Sequence, residues 1–354
     1  MNRRVKNISI LLAGLLTLLS APAHADSKPA TAQVIRLGLF ANVTHGAALV
    51  AKNQKFFEKY LTPAGTTIQY VTFSAGPAAI EALKGGAIDL AFIGPNPTIS
   101  GYVGTQGDLL RIVAGSTSGG AELVVKPSIT RIADLKGRKI ASPSLGNTQD
   151  VALRSWLKSH GLKTNIAGGG DVTVIPTDNS QSLALFQRGD IDGAWLPEPW
   201  SSRLVLEAGA KVLINEKSLW PKGQFVTTNL VAENKFLNKY PDTISQVIQG
   251  EVDAINFITA QPSAAKSAVQ SEIASATGKR LSDQVMDRAW SNLTFTFDPF
   301  ASSLNKSASN AVAAGLLNNF SANSLKGIYD LRILNKILKA AKLPFVSARG
   351  LGLQ

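Results

Sequence analysis

The sequence has no cysteine and only three histidines and two methionines among its 354 residues. A chain without thiols can build no disulfide framework and carry no thioether-linked lipid. No set of His, Asp and Glu shows metal-ligand spacing, which argues against a metal site. A serine nucleophile elbow, a Gly-rich phosphate loop ending in Lys-Ser/Thr and a spaced carboxylate pair are likewise absent. Catalysis therefore has no visible engine, and neither an enzyme nor a cofactor is expected. Beyond residue 25 charge, Gly and Pro interrupt every apolar stretch, so none approaches the roughly 20 residues of a membrane span. No Lys/Arg cluster alternates with aromatics, and nucleic acid has no electrostatic track to follow.

What is present begins at the first residues. Arg3, Arg4 and Lys6 precede an uncharged apolar run, Ile8 to Leu19, and then Ala23-His24-Ala25. This reads as a secretory signal peptide over residues 1–25, cleaved after Ala25. With no cysteine for a lipid, the expectation is a free, non-lipidated protein in the periplasm of a two-membrane bacterium. Removing Arg3, Arg4 and Lys6 lowers the formal charge from +12 to +9. A mild positive field raises the encounter rate with a small anion; a generally cationic periplasmic proteome accounts for it equally well. With 45% hydrophobic residues the chain has material for two domains of ordinary size.

The pattern after the leader is α/β. Val34 to Leu39, Thr67 to Phe73 and Ile88 to Ile93 read as strands. Each is followed by a turn and a helix: Ala47 to Tyr60, Ala78 to Gly85, and one opened by Gly94-Pro95-Asn96-Pro97. Three such units in a row predict a parallel sheet with right-handed crossovers. Ile112 to Ala114 and Ala121 to Val125 read as strands joined by a loop, Gly115 to Gly120. A second, smaller α/β unit follows: strands Arg138 to Ala141, Val172 to Ile175 and Gly193 to Leu196, helices Asp150 to His160 and around Ser182 to Arg188. Phe225 to Ala232 reads as a return strand. Helices are then expected over Pro241–Thr259, Ser263–Thr277, Ser282–Leu293, Ser303–Leu317 and Leu331–Lys342. The lobes are accordingly placed at 33–119 with 224–345, and at 120–223. A lobe interrupted by another and joined by two crossings is a hinge design with a cleft between.

In open parallel sheets ligands sit at the carboxyl ends of strands, where helices point their N-termini. Four turns hold that position: Asn42 to His45, Ser74-Ala75-Gly76, Gly94-Pro95-Asn96, and Gly146-Asn147-Thr148-Gln149. Each supplies small hydroxyl or amide groups and free backbone N–H groups beside a positive helix end, a cradle for an anion. The same residues are the favoured N-caps of any helix, so plain capping stays open. His45 either donates to a ligand oxygen or caps its helix. Trp195-Leu196-Pro197-Glu198-Pro199-Trp200 reads as a rigid bend. Glu198 there either meets a cationic ligand group or pairs across the cleft with a basic residue on closure.

These residues resemble the periplasmic receptors of ABC importers for nitrate, aliphatic sulfonates and taurine. The resemblance runs over nearly all of residues 33 to 345. It is carried by Phe73-Ser74-Ala75-Gly76-Pro77 with Glu81-Ala82-Leu83, Gly86-Ala87-Ile88-Asp89, Gly94-Pro95, Asp134-Leu135-Lys136-Gly137, Asp192-Gly193-Ala194-Trp195 and Tyr329-Asp330-Leu331. It implies a two-lobed, hinged periplasmic-binding-protein (type II) fold. A monomer is expected, binding a small anionic solute for an inner-membrane permease with its ATPase. It also implies a ligand set: Asn42, His45, Ser74, Gly76, Asn96, Ser118, Gly119, Asn147, Thr148, Gln149, Trp195 and Glu198. Where sulfonate receptors often have Gly-Ser-Ser, this chain has the bulkier Gly146-Asn147-Thr148-Gln149. That leaves sulfonate, nitrate and another organic anion open, with an uncharged heterocycle such as a thiamine pyrimidine precursor as rival, and an enzyme on the same fold as the alternative from another class.

Overall fold

Ile35, Leu37 and Leu39 alternate with Arg36 and Gly38, and Val34–Leu39 forms strand β1 with those three side chains buried. The computed structural model describes residues 31–354 except 319 and 322, so the expected leader over 1–25 lies outside the described residues. From β1 the chain runs through α1 (Gly46–Asn53), α2 (Phe56–Leu61), β2 (Thr67–Thr72), α3 (Gly76–Lys84), β3 (Leu90–Ile93), α4 (Pro95–Gly104) and β4 (Leu110–Gly119). It then enters a second sheet with β5 (Ala121–Val125), β6 (Lys139–Ser142), α5 (Thr148–Ser159), β7 (Thr173–Pro176), α6 (Asn179–Arg188), β8 (Gly193–Pro197), α7 (Trp200–Ala208) and β9 (Lys211–Asn215). The return strand β10 (Val226–Glu233) leads to α8 (Asn234–Lys239), α9 (Pro241–Ala260), α10 (Pro262–Thr277), α11 (Asp283–Ser291) and β11 (Leu293–Phe295). The chain finishes with α12 (Ala301–Ala313), β12 (Tyr329–Asp330), α13 (Arg332–Ala340) and β13 (Gly352–Leu353).

These strands form two sheets, the first in the order β13-β12-β4-β10-β3-β1-β2 with β11 also on β4, the second β7-β6-β8-β5-β9. Strand β1 pairs in parallel with β2 and β3, as successive strand–helix units require. Strand β6 likewise pairs in parallel with β7 and β8 in the second sheet, and β12 with β4 and β13 in the first. Strand β10 lies antiparallel between β3 and β4, because a chain returning from the other lobe re-enters the sheet in the opposite direction. Each lobe has its own core: Leu37, Phe92 and Ile248 in the first, Trp195, Leu153 and Leu196 in the second. The fold is two-lobed α/β.

The first crossing passes through Gly119 and Gly120, both at positive φ (79° and 73°). A Cβ on Gly120 would lie 2.1 Å from the Leu293 side chain, so the crossing needs glycine for space as well as for backbone.

Other departures from the sequence reading have physical causes. The single helix expected over 47–60 breaks at Lys55, whose φ of 59° turns the chain so that Phe57 is buried against Gly250. The loop expected over 115–120 is mostly strand: β4 continues to Gly119, and its Gly, Ser and Thr are small because neighbours press on them. A Cβ on Gly115 would meet the Asp298 backbone at 2.4 Å. Helix α7 follows the Pro-rich bend directly, since proline at a helix threshold gives up no hydrogen bond. Helix α8 and strand β9 also lie where no element is expected. Among the described residues no helix is long and apolar enough to cross a membrane, and no group of three or more His, Cys, Asp or Glu is placed to hold a metal ion.

Candidate ligand-binding site

The turns after β1, β2, β3 and β6 open helices that face one another across the junction of the lobes. Their polar residues do not cap their own helices: neither Asn42, nor His45, nor Asn147 makes a side-chain cap bond. They reach outward instead. The Asn147 Oδ1 accepts from the Gly76 N–H at 3.3 Å across the lobes, while its Nδ2 donates to Gln149 Oε1 at 3.1 Å. The Asn42 Oδ1 accepts from the Trp200 indole N–H at 2.9 Å, again from lobe to lobe. The loop before α5 is itself fixed: Asp150 accepts from Ser142 Oγ, from the Gly146 N–H and from Arg154 Nε, and this Asp150–Arg154 pair is buried. The first turn of α5 thus meets the cleft with its unpaired N–H groups held in place.

Between these helix starts lies a cavity of about 20 Å³, lined among others by His45, Ser74, Gly94, Thr148, Gln149, Asn179 and Thr228. Among the described residues no charged side chain lines it. His45 Nδ1, Thr148 Oγ1 and Asn179 Oδ1 are buried polar atoms with no partner among the described residues. Buried polar groups left without partners cost about 1–3 kcal/mol each, so three around one cavity mark a place where a guest completes the bonding. His45 stacks on Phe40 with ring centroids 4.4 Å apart, and burial pushes its pKa down to about 3. Its imidazole is therefore neutral, with one nitrogen to donate and one to accept. The approach of the lobes is close: a Cβ on Gly94 would stand 2.4 Å from Thr148 Oγ1.

Beside it lies a larger vestibule of about 420 Å³, which shares Asn42, Ser74 and Asn179 with it. Phe73, Pro199, Trp200, Ile273 and Leu281 give it apolar walls, and Arg203, Lys279 and Arg280 bring cations to them, with Asp178 and Glu207 opposite in sign. The Trp200 ring is held at its N–H by Asn42 and on one face by the Arg203 guanidinium, 4.8 Å from the ring centroid.

Of the residues expected from sequence, Asn42, His45, Ser74, Asn147, Thr148 and Gln149 line the cavity. The others stand elsewhere. The Gly76 N–H is engaged by Asn147, and Asn96 donates to the Ser307 carbonyl at 3.0 Å. Ser118 Oγ accepts from the Phe225 N–H, and Gly119 sits at the crossing. Trp195 is fully buried in the second lobe, where its N–H donates to Glu216 at 2.8 Å. Glu198 is fully buried and meets Arg288 of the first lobe at 3.3 Å. Of its two sequence alternatives, the structure thus shows the pair across the cleft. Burial, and then the neighbouring Glu122, push its carboxyl above the ordinary range. Asn179, Thr227 and Thr228 were missed. The turn Thr177 to Asn179 follows β7 just as the four recognised turns follow their strands, so the same rule would have found Asn179.

A model of the NMT1-like family matches residues 27–274. The taurine-binding periplasmic protein of Escherichia coli (strain K12) is 28% identical over 247 residues, 70% of this chain and 72% of that protein. A second protein of the same strain, provisionally assigned as an aliphatic sulfonates-binding protein, is 29% identical over 221 residues, 62% of this chain; the match spans a little under two thirds, 65%, of its own length. Among solved structures, the alkanesulfonate-binding protein SsuA from Xanthomonas axonopodis pv. citri bound to MOPS superposes with a TM-score of 0.68 at 22% identity, covering 82% of this chain and 96% of that one. The periplasmic nitrate-binding protein NrtA from Synechocystis PCC 6803 superposes with a TM-score of 0.73 at 17% identity, covering 89% and 90%.

Proposed function

This chain belongs to the NMT1-like family, and from that premise we propose that it is an exported, periplasmic receptor of an ABC importer. It closes on one small organic anion and delivers it, unaltered, to a permease with its ATPase. The observation that carries this reading is a pair of unpartnered buried polar atoms able to donate, His45 Nδ1 and Thr148 Oγ1, around one cavity at the N-terminus of α5. An anion there is held by neutral donors and the helix end, with no ion pair needed.

The sizes favour an organic solute over nitrate. A space of about 20 Å³ takes little more than one water, hence one or two oxygens of a head group. The vestibule of about 420 Å³, with its apolar walls, has room for a body. A sulfonate, by its tetrahedral head and its tail, divides between the two. Relatives that bind taurine and alkanesulfonates support the same class.

One observation favours a second reading, a zwitterion or an uncharged heterocycle. Asn179 Oδ1 is an acceptor, and it asks for a donor that a bare sulfonate lacks. Taurine's ammonium or a heterocycle's N–H supplies one.

Thermal-shift screening with taurine, methanesulfonate, longer alkanesulfonates, nitrate, bicarbonate and a methylated aminopyrimidine separates these. A solute at one hundred times its Kd stabilises the protein by about 2.7 kcal/mol. Stabilisation by sulfonates and not by nitrate is expected; stabilisation by the pyrimidine alone would overturn the anion reading. The Thr148→Phe variant is expected to fold normally and lose the shift.

A further inference from the structure

Glu122 and Glu198 are carboxylates of the second lobe, 2% and 0% exposed. Glu122 stands at the start of β5, two residues past the glycines of the crossing's midpoint, and Glu198 between β8 and α7. Arg288 comes from the other lobe, on α11, whose Val285, Met286 and Ala289 are part of the first lobe's core. Its guanidinium donates to Glu122 Oε2 at 2.8 Å, to Ser202 Oγ at 2.8 Å and to Glu198 Oε1 at 3.3 Å. Among the described residues every side-chain hydrogen bond of Arg288 goes to the opposite lobe. Asn292, next to α11, adds Nδ2 contacts to Glu198 Oε1 at 2.7 Å and Glu122 Oε1 at 3.3 Å.

We propose that Arg288 is the closure latch of this receptor, a positioning residue that sets solute affinity through the lobe equilibrium without touching the solute. Two buried carboxylates of the second lobe share one guanidinium of the first. Parting the lobes separates Arg288 from all its acceptors and leaves both carboxylates to find water or remain unpaired. Closure is thereby biased by an ion cluster whose own side chains stand outside the cavity lining, although the Glu198 carbonyl accepts from the Thr44 N–H at 3.4 Å. A solute then has less of the closing to do. The latch rests on the proposed receptor reading, since it acts on a closing motion, but it can be measured with no solute present.

The absence of native cysteine makes the measurement direct. Spin labels on Lys136→Cys, in the second lobe, and Lys235→Cys, in the first, both exposed positions, report the interlobe distance by pulsed electron resonance. Arg288→Gln is expected to lower the closed-to-open ratio at least about tenfold in the solute-free protein. Arg288→Lys, which keeps the charge and loses the fork, should fall between. The triple variant with Glu122→Gln and Glu198→Gln added removes the uncompensated charge and should move the distribution back toward closed. An unchanged distribution in Arg288→Gln overturns the latch, and so does a triple variant as open as the single one. If circular dichroism shows Arg288→Gln unfolded, Glu198→Gln decides: a several-fold loss of the closed state supports the latch, and no loss overturns it. A distribution that responds as expected in a protein stabilised by no solute of the panel would leave the latch standing and remove the receptor reading.

Discussion

Trp200 of the second lobe donates its indole N–H to the Asn42 side-chain oxygen of the first at 2.9 Å, across the mouth of the cleft. The bond joins inner cavity to vestibule, because Asn42 lines both and Trp200 walls the larger. Asn42→Ala and Trp200→Phe each break it, one from either side. Each is expected to weaken the best solute of the panel by about 0.5–1.5 kcal/mol, a few-fold to roughly tenfold in Kd. The double variant should lose little more than either single one, since both remove the same bond. Isothermal titration of the four proteins checks this; fully additive losses would mean that the residues act separately.

Gly94 tests closure from the opposite wall. Its φ of −70° suits any residue, so Gly94→Ala leaves the first lobe unstrained. The new methyl would stand 2.4 Å from Thr148 Oγ1 of the other lobe, closer than real contacts allow. The variant is expected to keep its melting temperature within about 2 °C and lose solute affinity by about tenfold or more. Affinity equal to that of the wild type would show that the lobes need not approach so closely.

Much of this site was legible in the sequence for a simple reason. The turns at Asn42, Ser74 and Asn147 follow apolar strands, and a strand's carboxyl end has a fixed place in a parallel sheet. Local pattern thus carried positional information. Trp195 and Glu198 show the limit. Their neighbourhood, with two prolines, marks a bend, but which side of a bend faces a cleft is decided by packing. Trp195 turns into the second lobe's core to meet Glu216, and Glu198 turns to Arg288, 90 positions along the chain. The small residues from Gly115 to Ser118 misled in the opposite sense. Gly, Ser and Thr suit loops and tight buried strands alike, and only the nearness of Asp298 distinguishes the two.

His45 gives a pH dependence with a definite sign. Burial lowers its folded pKa from 6.5 to about 3, so the folded imidazole stays neutral while the unfolded one takes up a proton below about pH 6.5. The stability present above pH 6.5 is lost as pH falls toward 3, by about 2 kcal/mol at pH 5. His45→Gln lacks this component. Urea unfolding at pH 7.5 and 5 should therefore show a smaller acid loss in the variant. Equal losses in both proteins would mean that His45 is not held neutral.

Glu251 shifts the other way. It lies on α9, fully buried, with neither carboxyl oxygen partnered among the described residues, and burial raises its pKa from 4.5 to about 8. The folded protein keeps this carboxyl protonated across a range where the unfolded chain has released its proton. Its contribution is complete below pH 4.5 and is lost as pH rises through 8. Glu251→Gln cannot ionise, so its stability should exceed the wild type's by a few kcal/mol at pH 9 and differ little at pH 4.5. Glu216, buried and raised to about 7, changes stability in the same direction and leaves the variant a residual slope between about pH 4.5 and 7. Melting temperatures from pH 4.5 to 9 check the prediction. Parallel curves for the two proteins would show that Glu251 ionises in the folded state at its ordinary pKa and has water the packing does not reveal.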